Sequence, residues 1–302
     1  FRSLTQGPES LKEAVKEILE NKRGSVKYEL GGGVRIAEYL KLDNLDWWLI
    51  IAEIEVDNTF TDNEKTVSLQ TFIPELNKKF ESLFASLEDI LTLNVLKSIE
   101  EKEIRNILNN VFESDVSFVN AAFVNNQGIM TYFEPSDYRN IEGLDISDYE
   151  YVNMVHKYQK PILSEAFFAL EGFWGVSVVL PLFTESREYA GFLSMLINPS
   201  VIIEPILQGM NIPDKFELWI MQTDGLIVYD YDGDEIGKNL FTDPVYADFD
   251  TLLNLGEKIV STTAGKGEYV YYSFSSGEKT LKNAVWNTLN IREREWRIII
   301  TE

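Results

Sequence analysis

The sequence predicts an α+β protein in which antiparallel sheets carry helices on their faces. One observation is an apolar stripe with steps of three and four residues, which is typical of a long amphipathic helix. Another is a series of short β-type runs bounded by turn residues, in an order that suits hairpins. The third is that this order of elements recurs along the chain, which indicates repeated modules rather than one large core.

Composition excludes several classes of function. The 302 residues carry 27 Lys and Arg against 49 Asp and Glu, a formal charge of −22, so nucleic acid is not an expected partner. The absence of cysteine excludes disulfides, thiolate metal sites and Cys nucleophiles. No apolar run approaches the roughly 18 residues of a membrane span, and residues 1–10 contain no signal-peptide core. Any membrane anchors are therefore expected to lie outside this chain.

The long helix is predicted to begin near Pro74, with the proline in its first turn. Its apolar stripe consists of Leu76, Phe80, Leu83, Phe84, Leu87, Ile90 and Leu91. A shorter helical pattern follows over residues 101–112. Residues 61–115 are therefore interpreted as a long helix with a connecting helix after it.

Residues 116–208 are predicted to form a five-stranded antiparallel sheet with a helix on it. Two strands flank the turn Asn126-Gln127-Gly128 as a hairpin. The predicted strands are 118–125, 129–133, 162–170, 174–183 and 191–197, and the predicted helix is 149–157.

Residues 209–302 repeat that order in smaller form, with Thr223-Asp224-Gly225 as the hairpin turn. The predicted strands are 217–221, 226–231, 267–274, 280–287 and 295–301, and the predicted helix is 251–260.

Residues 1–60 match the second half of this last segment. A helix at 10–19 and strands at 23–28, 35–40 and 48–53 parallel residues 250–260, 266–271, 282–286 and 296–301. Gly31-Gly32-Gly33 is interpreted as a hairpin turn, because it lacks the Lys-Ser/Thr of a phosphate loop. The segment is predicted to be the back half of an additional module. Three strands with an exposed edge are marginal alone, so the edge is expected to pair with a neighbouring module, a second chain or an upstream segment.

Two sets of short motifs stand in a fixed order along the chain. The first set is Val124-Asn125-Asn126-Gln127-Gly128-Ile129, Gly143-Leu144-Asp145-Ile146-Ser147, Tyr151, Lys160-Pro161-Ile162-Leu163-Ser164-Glu165, Pro181 and Gly191-Phe192-Leu193. The second set is Thr223-Asp224-Gly225, Ile236-Gly237-Lys238-Asn239-Leu240-Phe241, Gly265-Lys266-Gly267-Glu268-Tyr269 and Trp296. From Pro74 to the last residue, this order resembles the tandem PAS-like modules of double Cache sensor domains.

The resemblance implies the extracytoplasmic region of a membrane-anchored receptor, such as a histidine kinase or chemoreceptor. Residues 116–208 would be the membrane-distal module, which binds a small molecule, and residues 209–302 the membrane-proximal module. The long helix would transmit a shift toward the membrane. A weak parallel homodimer through this helix is also implied.

The ligand pocket is expected around residues 132–196. Amino-acid-binding members of the family carry an Arg on the pocket helix, and that guanidinium is missing here. The remaining candidates for ligand binding are Tyr149, Tyr151, Phe167, Trp174, Ser177 and Leu196, with Ser164 and Lys160 as further polar groups. They predict a weakly charged, partly apolar ligand. The alternative is that these aromatics only pack the helix on the sheet.

No catalytic residue, metal site or cofactor is predicted. His156 is the sole histidine and is interpreted as a surface helix residue. The acidic run Asp230 to Glu235 lacks the Gly and Glu spacing of an EF-hand and is interpreted as a hairpin exit. Two other functions remain open: a protein-interaction module with a vestigial pocket, and a hydrolase that would need two buried acids facing each other in a cleft.

Overall fold

The computed structural model describes residues 9–30, 33–42, 48–55, 58–93, 96–97, 99–210, 212–272 and 279–302. The chain divides into two compact units, Phe1–Thr61 and Asp62–Glu302. Both combine helices with antiparallel sheet, so the predicted α+β class is confirmed. None of the described helices has the length and apolarity needed to span a membrane.

The N-terminal unit is one helix followed by a three-stranded antiparallel sheet. Its elements are α1 (Glu9–Glu20), β1 (Arg23–Leu30), β2 (Gly33–Lys41) and β3 (Trp48–Glu55), and the strands lie side by side in chain order. Helix α1 forms because Leu11, Ala14, Val15 and Ile18 recur at helical spacing and are all buried. Residues 31 and 32 of the predicted turn lie outside the described residues. The pairing of the sheet edge with a neighbouring module, a second chain or an upstream segment stays a prediction.

The long helix α2 (Asn58–Leu93) begins well before Pro74, so the prediction that the proline occupies its first turn is wrong. Pro74 is exposed within the helix. Leu69 and Phe72 are buried upstream of it and continue the stripe of Leu76 and Phe80. This packing stabilises the first half of the helix and outweighs the one backbone hydrogen bond that a proline removes.

The central module comprises residues 99–210. Its elements are α3 (Glu101–Phe112), β4 (Phe118–Asn125), β5 (Met130–Glu134), a 3₁₀ helix (Ser136–Ile141), α4 (Glu150–Tyr158), β6 (Ile162–Leu163), β7 (Phe167–Phe168), β8 (Trp174–Phe183), β9 (Tyr189–Ile197) and α5 (Pro199–Gly209). The sheet runs β5-β4-β9-β8-β6, and β7 also pairs with β8. The single strand predicted over 162–170 is wrong: it is interrupted, because Ser164 turns its side chain back to the strand partner and accepts a hydrogen bond from the N–H of Ser177.

The C-terminal module comprises residues 212–302. Its elements are β10 (Glu217–Gln222), β11 (Ile227–Asp230), 3₁₀ helices at Gly233–Glu235 and Pro244–Tyr246, α6 (Asp250–Ser261), β12 (Ala264–Tyr272), β13 (Lys279–Ile291) and β14 (Arg294–Thr301). The sheet runs β11-β10-β14-β13-β12. Residues 273 and 274 of a predicted strand lie outside the described residues. Gly128 and Gly225 close the first hairpins of the two modules with positive φ angles of 82° and 92°, which glycine adopts without strain.

One apolar core joins α2 to both modules. It contains buried residues of α2, α3, β4, β8, β9, β10 and β14. Phe80 of α2 meets Trp296 of β14 edge to face, with 5.6 Å between ring centroids. The two modules are also joined directly, because Gln222 of β10 accepts a hydrogen bond of 2.8 Å from the N–H of Ala166. Helix α2 and the two modules therefore share buried contacts.

Candidate functional site

A cavity lies on the sheet of the central module, against the first turn of α4. Its floor comes from three adjacent strands, because Leu196 of β9 pairs with Asn120 of β4 on one side and with Ser177 of β8 on the other. Ser194 lies two residues along β9 from Leu196 and therefore on the same face. The floor is an apolar surface with three neutral polar side chains in it.

Three aromatic rings form one wall of this cavity. Tyr149 is the residue that precedes α4, Tyr151 lies in its first turn, and Phe167 comes from β7. Tyr151 and Phe167 are stacked at 6.0 Å, and Tyr149 meets each of them edge to face at 5.9 Å. Such pairs stabilise beyond the apolar area they bury, so the three rings hold one another in place.

Two of the polar side chains at the floor, Ser194 and Asn120, have hydrogen-bond partners. Ser194 forms a hydrogen bond with the Tyr151 hydroxyl. Burial raises the pKa of Tyr151 above its ordinary value, so the hydroxyl stays protonated. Asn120 donates a hydrogen bond of 2.5 Å from Nδ2 to Glu171 Oε1. The site therefore offers neutral hydrogen-bonding groups and one carboxylate, and none of the described residues that line it is basic.

The structure brings together Tyr149, Tyr151, Phe167, Ser177 and Leu196 of the predicted ligand-binding residues. Trp174 is not among the lining residues. It lies an odd number of positions from Ser177 on β8 and therefore on the opposite face of the strand. Its indole packs on Phe168 and against Gly237 of the C-terminal module.

The other polar candidates do not line the cavity. Lys160 is exposed, and Ser164 is buried and engaged with the backbone of Ser177 and Glu165. His156 is half-buried rather than on the surface, since it packs on Phe192 and its Nδ1 lies 2.9 Å from the Tyr189 hydroxyl. Burial lowers the pKa of His156.

Asn120, Glu171 and Ser194 are the polar lining residues that the sequence prediction missed. A signal existed for two of them. Asn120 is a polar residue inside the otherwise apolar strand start Phe118 to Phe123, and Ser194 interrupts the apolar run of β9. A buried polar residue in such a run needs a partner and often marks a site. Glu171 follows an interrupted strand, and no local pattern identifies it.

The cavity is small and its rim is apolar. Its free volume is about 50 Å³, which is enough for a water molecule or a very small fragment. Phe168 and Leu170 at the rim are 60% and 67% exposed, so the rim presents two neighbouring apolar side chains to solvent. A larger ligand can enter only if the rings or the segment from Phe167 to Glu171 move.

Residues 79–199 match the family model of the HK/GC/chemotaxis protein-like sensor domain. No curated protein sequence matches the chain.

Among solved structures, an extracellular ligand-binding receptor from Desulfohalobium retbaense is similar at 20% identity and a TM-score of 0.62 over 99% of this chain. The match covers 50% of that receptor, so the chain spans half its length. The ligand-binding domain of the Pseudomonas aeruginosa chemoreceptor PctC, solved with GABA, is similar at 13% identity and a TM-score of 0.56, over 82% of this chain and all of that one. The corresponding domain of PctB, solved with L-Gln, is similar at 14% identity and a TM-score of 0.55. The match covers 80% of this chain and 89% of that one.

These likenesses establish the fold. The resemblance to Cache-type sensor domains of histidine kinases and chemoreceptors is confirmed by the family model and by the fold of these structures. The match from residue 79 to residue 199 contains the cavity, from Asn120 to Leu196. The candidate site therefore lies in the part of the chain for which the family match is direct.

Proposed function

We propose that this chain is the extracytoplasmic sensing region of a membrane receptor, such as a histidine kinase or chemoreceptor, and that it has no enzymatic role. The observation that carries the proposal is a cavity with buried, neutral polar groups inside a sensor-domain fold. The structurally similar receptors are extracellular or ligand-binding regions as well. The ligand site proposed for this chain is the cavity of the central module.

The lining favours a small, uncharged and partly apolar ligand. The aromatic wall offers stacking and apolar contact, and Ser177 with Tyr149 offers hydrogen bonds that fix orientation. A ligand carboxylate would meet Glu171 and no guanidinium or ammonium group of the lining. The amino acids bound by the similar chemoreceptors would therefore need a different anchor here.

Ligand entry would act on the C-terminal module through the segment from Leu163 to Phe167. Arg294 donates hydrogen bonds to the Leu163 carbonyl at 3.0 Å and to Glu165 Oε2 at 2.7 Å, and Gln222 holds Ala166. Phe167, the next residue, is part of the cavity wall. A ligand that displaces Phe167 would favour one arrangement of these contacts over another, which is the requirement for transmission.

The test is a thermal-shift screen of the purified chain against small neutral and weakly charged organic compounds. A bound ligand raises the melting temperature by mass action. Tyr149→Ala removes a wall ring, and Ser177→Val fills the cavity from its floor. Tyr158→Ala is the matched control, because Tyr158 is an exposed tyrosine of α4 that does not line the cavity.

We expect a hit whose shift is lost in both cavity variants and kept in Tyr158→Ala. A hit that all three variants keep would move the binding site elsewhere. The exposed Phe168 and Leu170 favour the second candidate, a protein-interaction surface at the same rim. The absence of any hit across the set would support that candidate.

The weak homodimer through α2 remains part of the proposal. Leu69, Phe72, Leu76 and Phe80 of its stripe are buried within the second unit, so a dimer would use the polar side of the helix. Such an interface is weak without membrane anchors. Sedimentation at increasing concentration checks it, and a strictly monomeric chain would remove it.

A further inference from the structure

The C-terminal module contains a second cavity of about 470 Å³, far larger than the about 50 Å³ of the central one. That volume falls in the range of sites for small organic ligands. The cavity lies on the sheet. Strands β10 to β13 line one side of it, and the two 3₁₀ helices line the other. Five aromatic residues line it: Trp219, Tyr231, Tyr246, Tyr269 and Tyr271.

The charged groups of this cavity are almost all of one sign. The acidic lining residues are Glu217, Asp230, Asp232 and Glu235, and Lys282 is the only basic lining residue in the part of the chain that the structure describes. Carboxylates attract cations through their charge, and aromatic rings attract cations through the quadrupole of their faces. One ring already shows this preference, since Lys282 Nζ lies 5.3 Å from the centroid of Tyr271.

Two of the four carboxylates pair with lysines, and a third, Asp232, is exposed to solvent. Glu217 forms an ion pair with Lys282. Glu235 pairs with Lys238 at 3.0 Å and accepts a hydrogen bond from the Tyr246 hydroxyl. Asp232 accepts a hydrogen bond of 3.1 Å from the N–H of Asp234. These three groups are therefore part of the wall.

Among the described lining residues, Asp230 is the carboxylate that is mostly buried and has no lysine partner. It lies at the end of β11 opposite Trp219 of β10, and its carboxylate accepts a hydrogen bond of 2.8 Å from the N–H of Asp232. No ion pair with a basic side chain reaches it among the described residues. A mostly buried carboxylate without a counter-ion is unfavourable by itself. At the side of an aromatic cavity, it can form an ion pair with a bound cation.

We propose that this cavity binds a small organic cation, an amine or a quaternary ammonium compound, with Asp230 as its counter-ion and the rings of Trp219, Tyr246 and Tyr269 around it. The proposal is independent of the ligand in the central module, because the two cavities share no lining residue.

Other uses of these acids fit less well. A pair of catalytic carboxylates needs two free acids, and Glu217 and Glu235 are engaged with lysines. A metal site needs converging ligands, and no group of three or more acidic or histidine side chains in the described residues could hold an ion. An organic cation needs one carboxylate and several ring faces, which are present.

Binding of a cation should also respond to pH. Burial, together with the charges of Glu235, Glu217 and Asp232, raises the pKa of Asp230 to about 7, and the hydrogen bond from the Asp232 N–H opposes this shift. Of the other groups that line the cavity, Tyr246, Tyr269 and Tyr271 stay neutral because burial raises the pKa of each, and Lys282 forms an ion pair with Glu217. A cation stabilises the ionised carboxylate, so its affinity should rise as the pH passes upward through this range.

The experiment is isothermal titration calorimetry of the whole chain with choline, 1,4-diaminobutane and tetramethylammonium, each at about pH 6 and about pH 8. The neutral isostere of choline, 3,3-dimethylbutan-1-ol, tests whether charge is required. Asp230→Asn keeps the shape of the side chain and removes its charge. Asp248→Asn, an exposed acid of the same module outside the cavity, is the matched control.

We expect at least one of the cations to bind, more tightly at the higher pH, and the neutral alcohol not to bind. Asp230→Asn should lower the affinity for the cation by about tenfold or more, as expected for loss of a charge-assisted partner. It should also abolish the pH dependence of binding. Asp248→Asn and the central variant Tyr149→Ala should bind as the unaltered chain does.

Three results would each overturn the proposal: no binding of any of the three cations at millimolar concentration, equal binding of the neutral alcohol, or unchanged affinity in Asp230→Asn. Asp230→Asn removes a buried charge and should fold, and its circular dichroism spectrum checks this. Loss of cation binding leaves the central-cavity screen unaffected, so the two proposals fail separately.

Discussion

The central and C-terminal modules place their strands in the same spatial order but have very different cavities. Each strand of β5-β4-β9-β8-β6 has a counterpart in β11-β10-β14-β13-β12. The fifth strand differs most. In the central module it is interrupted after Leu163, whereas β12 pairs with β13 continuously from Ala264 to Tyr272.

This difference explains why one cavity is small and the other large. After the interruption, the segment from Phe167 to Glu171 lies over the central sheet and lines the cavity there. In the C-terminal module Tyr269 and Tyr271 remain within β12 and line the cavity from there. The edge strand, and not the sheet order, determines how much space each module leaves for a ligand.

The largest expected effect comes from breaking the junction between the modules at Gly237. Its φ is 86°, and a methyl group there would overlap the indole of Trp174. We expect Gly237→Ala to lower the free energy of unfolding by about 3 kcal/mol, from overpacking together with left-handed strain. In a Trp174→Ala background only the strain should remain, about 1 kcal/mol. Denaturant unfolding of the four proteins measures this, and an equal cost in both backgrounds would contradict the contact.

The next effect sharpens the contrast between acidic and neutral cavities. Because folding raises the pKa of Asp230 from 3.8 to about 7, the folded state binds more protons in that range, and stability should fall as the pH rises through it. A pKa shift corresponds to about 1.4 kcal/mol per unit, reduced here by partial solvent exposure. Asp230→Asn should therefore raise the free energy of unfolding by about 2 kcal/mol near pH 8 and leave it unchanged near pH 4. Denaturant unfolding of Asp230→Asn and of the control Asp248→Asn at several pH values checks this prediction. A stabilisation of Asp230→Asn that does not depend on pH would mean that the charge of Asp230 is not its cause.

A smaller effect belongs to the central module. Ser194→Ala removes the hydrogen bond to the Tyr151 hydroxyl and should cost about 1 kcal/mol of unfolding free energy. In a Tyr151→Phe background the partner is already absent, so the cost should nearly vanish. A double-mutant cycle by denaturant unfolding measures the coupling; additive costs would mean that the bond contributes nothing.

The smallest effect tests whether the aromatic wall is fixed. Tyr149 is partly exposed and contacts Tyr151 and Phe167, whereas the ring of Tyr158, the last residue of α4, lies under Nζ of Lys157. Tyr149→Ala should cost about 0.5 kcal/mol more than Tyr158→Ala, the contribution of its ring contacts. Paired thermal unfolding gives the difference, and equal melting temperatures would indicate a wall that opens freely.

The pattern of the sequence predicted the order of elements and much of the central cavity. Strand periodicity predicts which residues share a face, and helix periodicity predicts α1, α3, α4 and α6 within a few residues. Tyr149, Tyr151 and Phe167 are close together in sequence or flank one helix, so their common position follows from local structure. The repeat of a helix and three antiparallel strands at both ends of the chain was also visible in the sequence.

Only the tertiary structure decided where particular side chains go. Pro74 lies inside α2 because Leu69 and Phe72 find a core contributed by distant strands, and this contact outweighs the local preference of proline. Trp174 faces the C-terminal module, since Gly237, more than sixty residues later, leaves room for its indole. The acidic run from Asp230 to Glu235, which the sequence pattern predicts to be a solvated hairpin exit, becomes a cavity wall when β10 and β12 place aromatic rings beside it. Local pattern fixes the period of an element, whereas the environment of a side chain depends on residues that are remote in the chain.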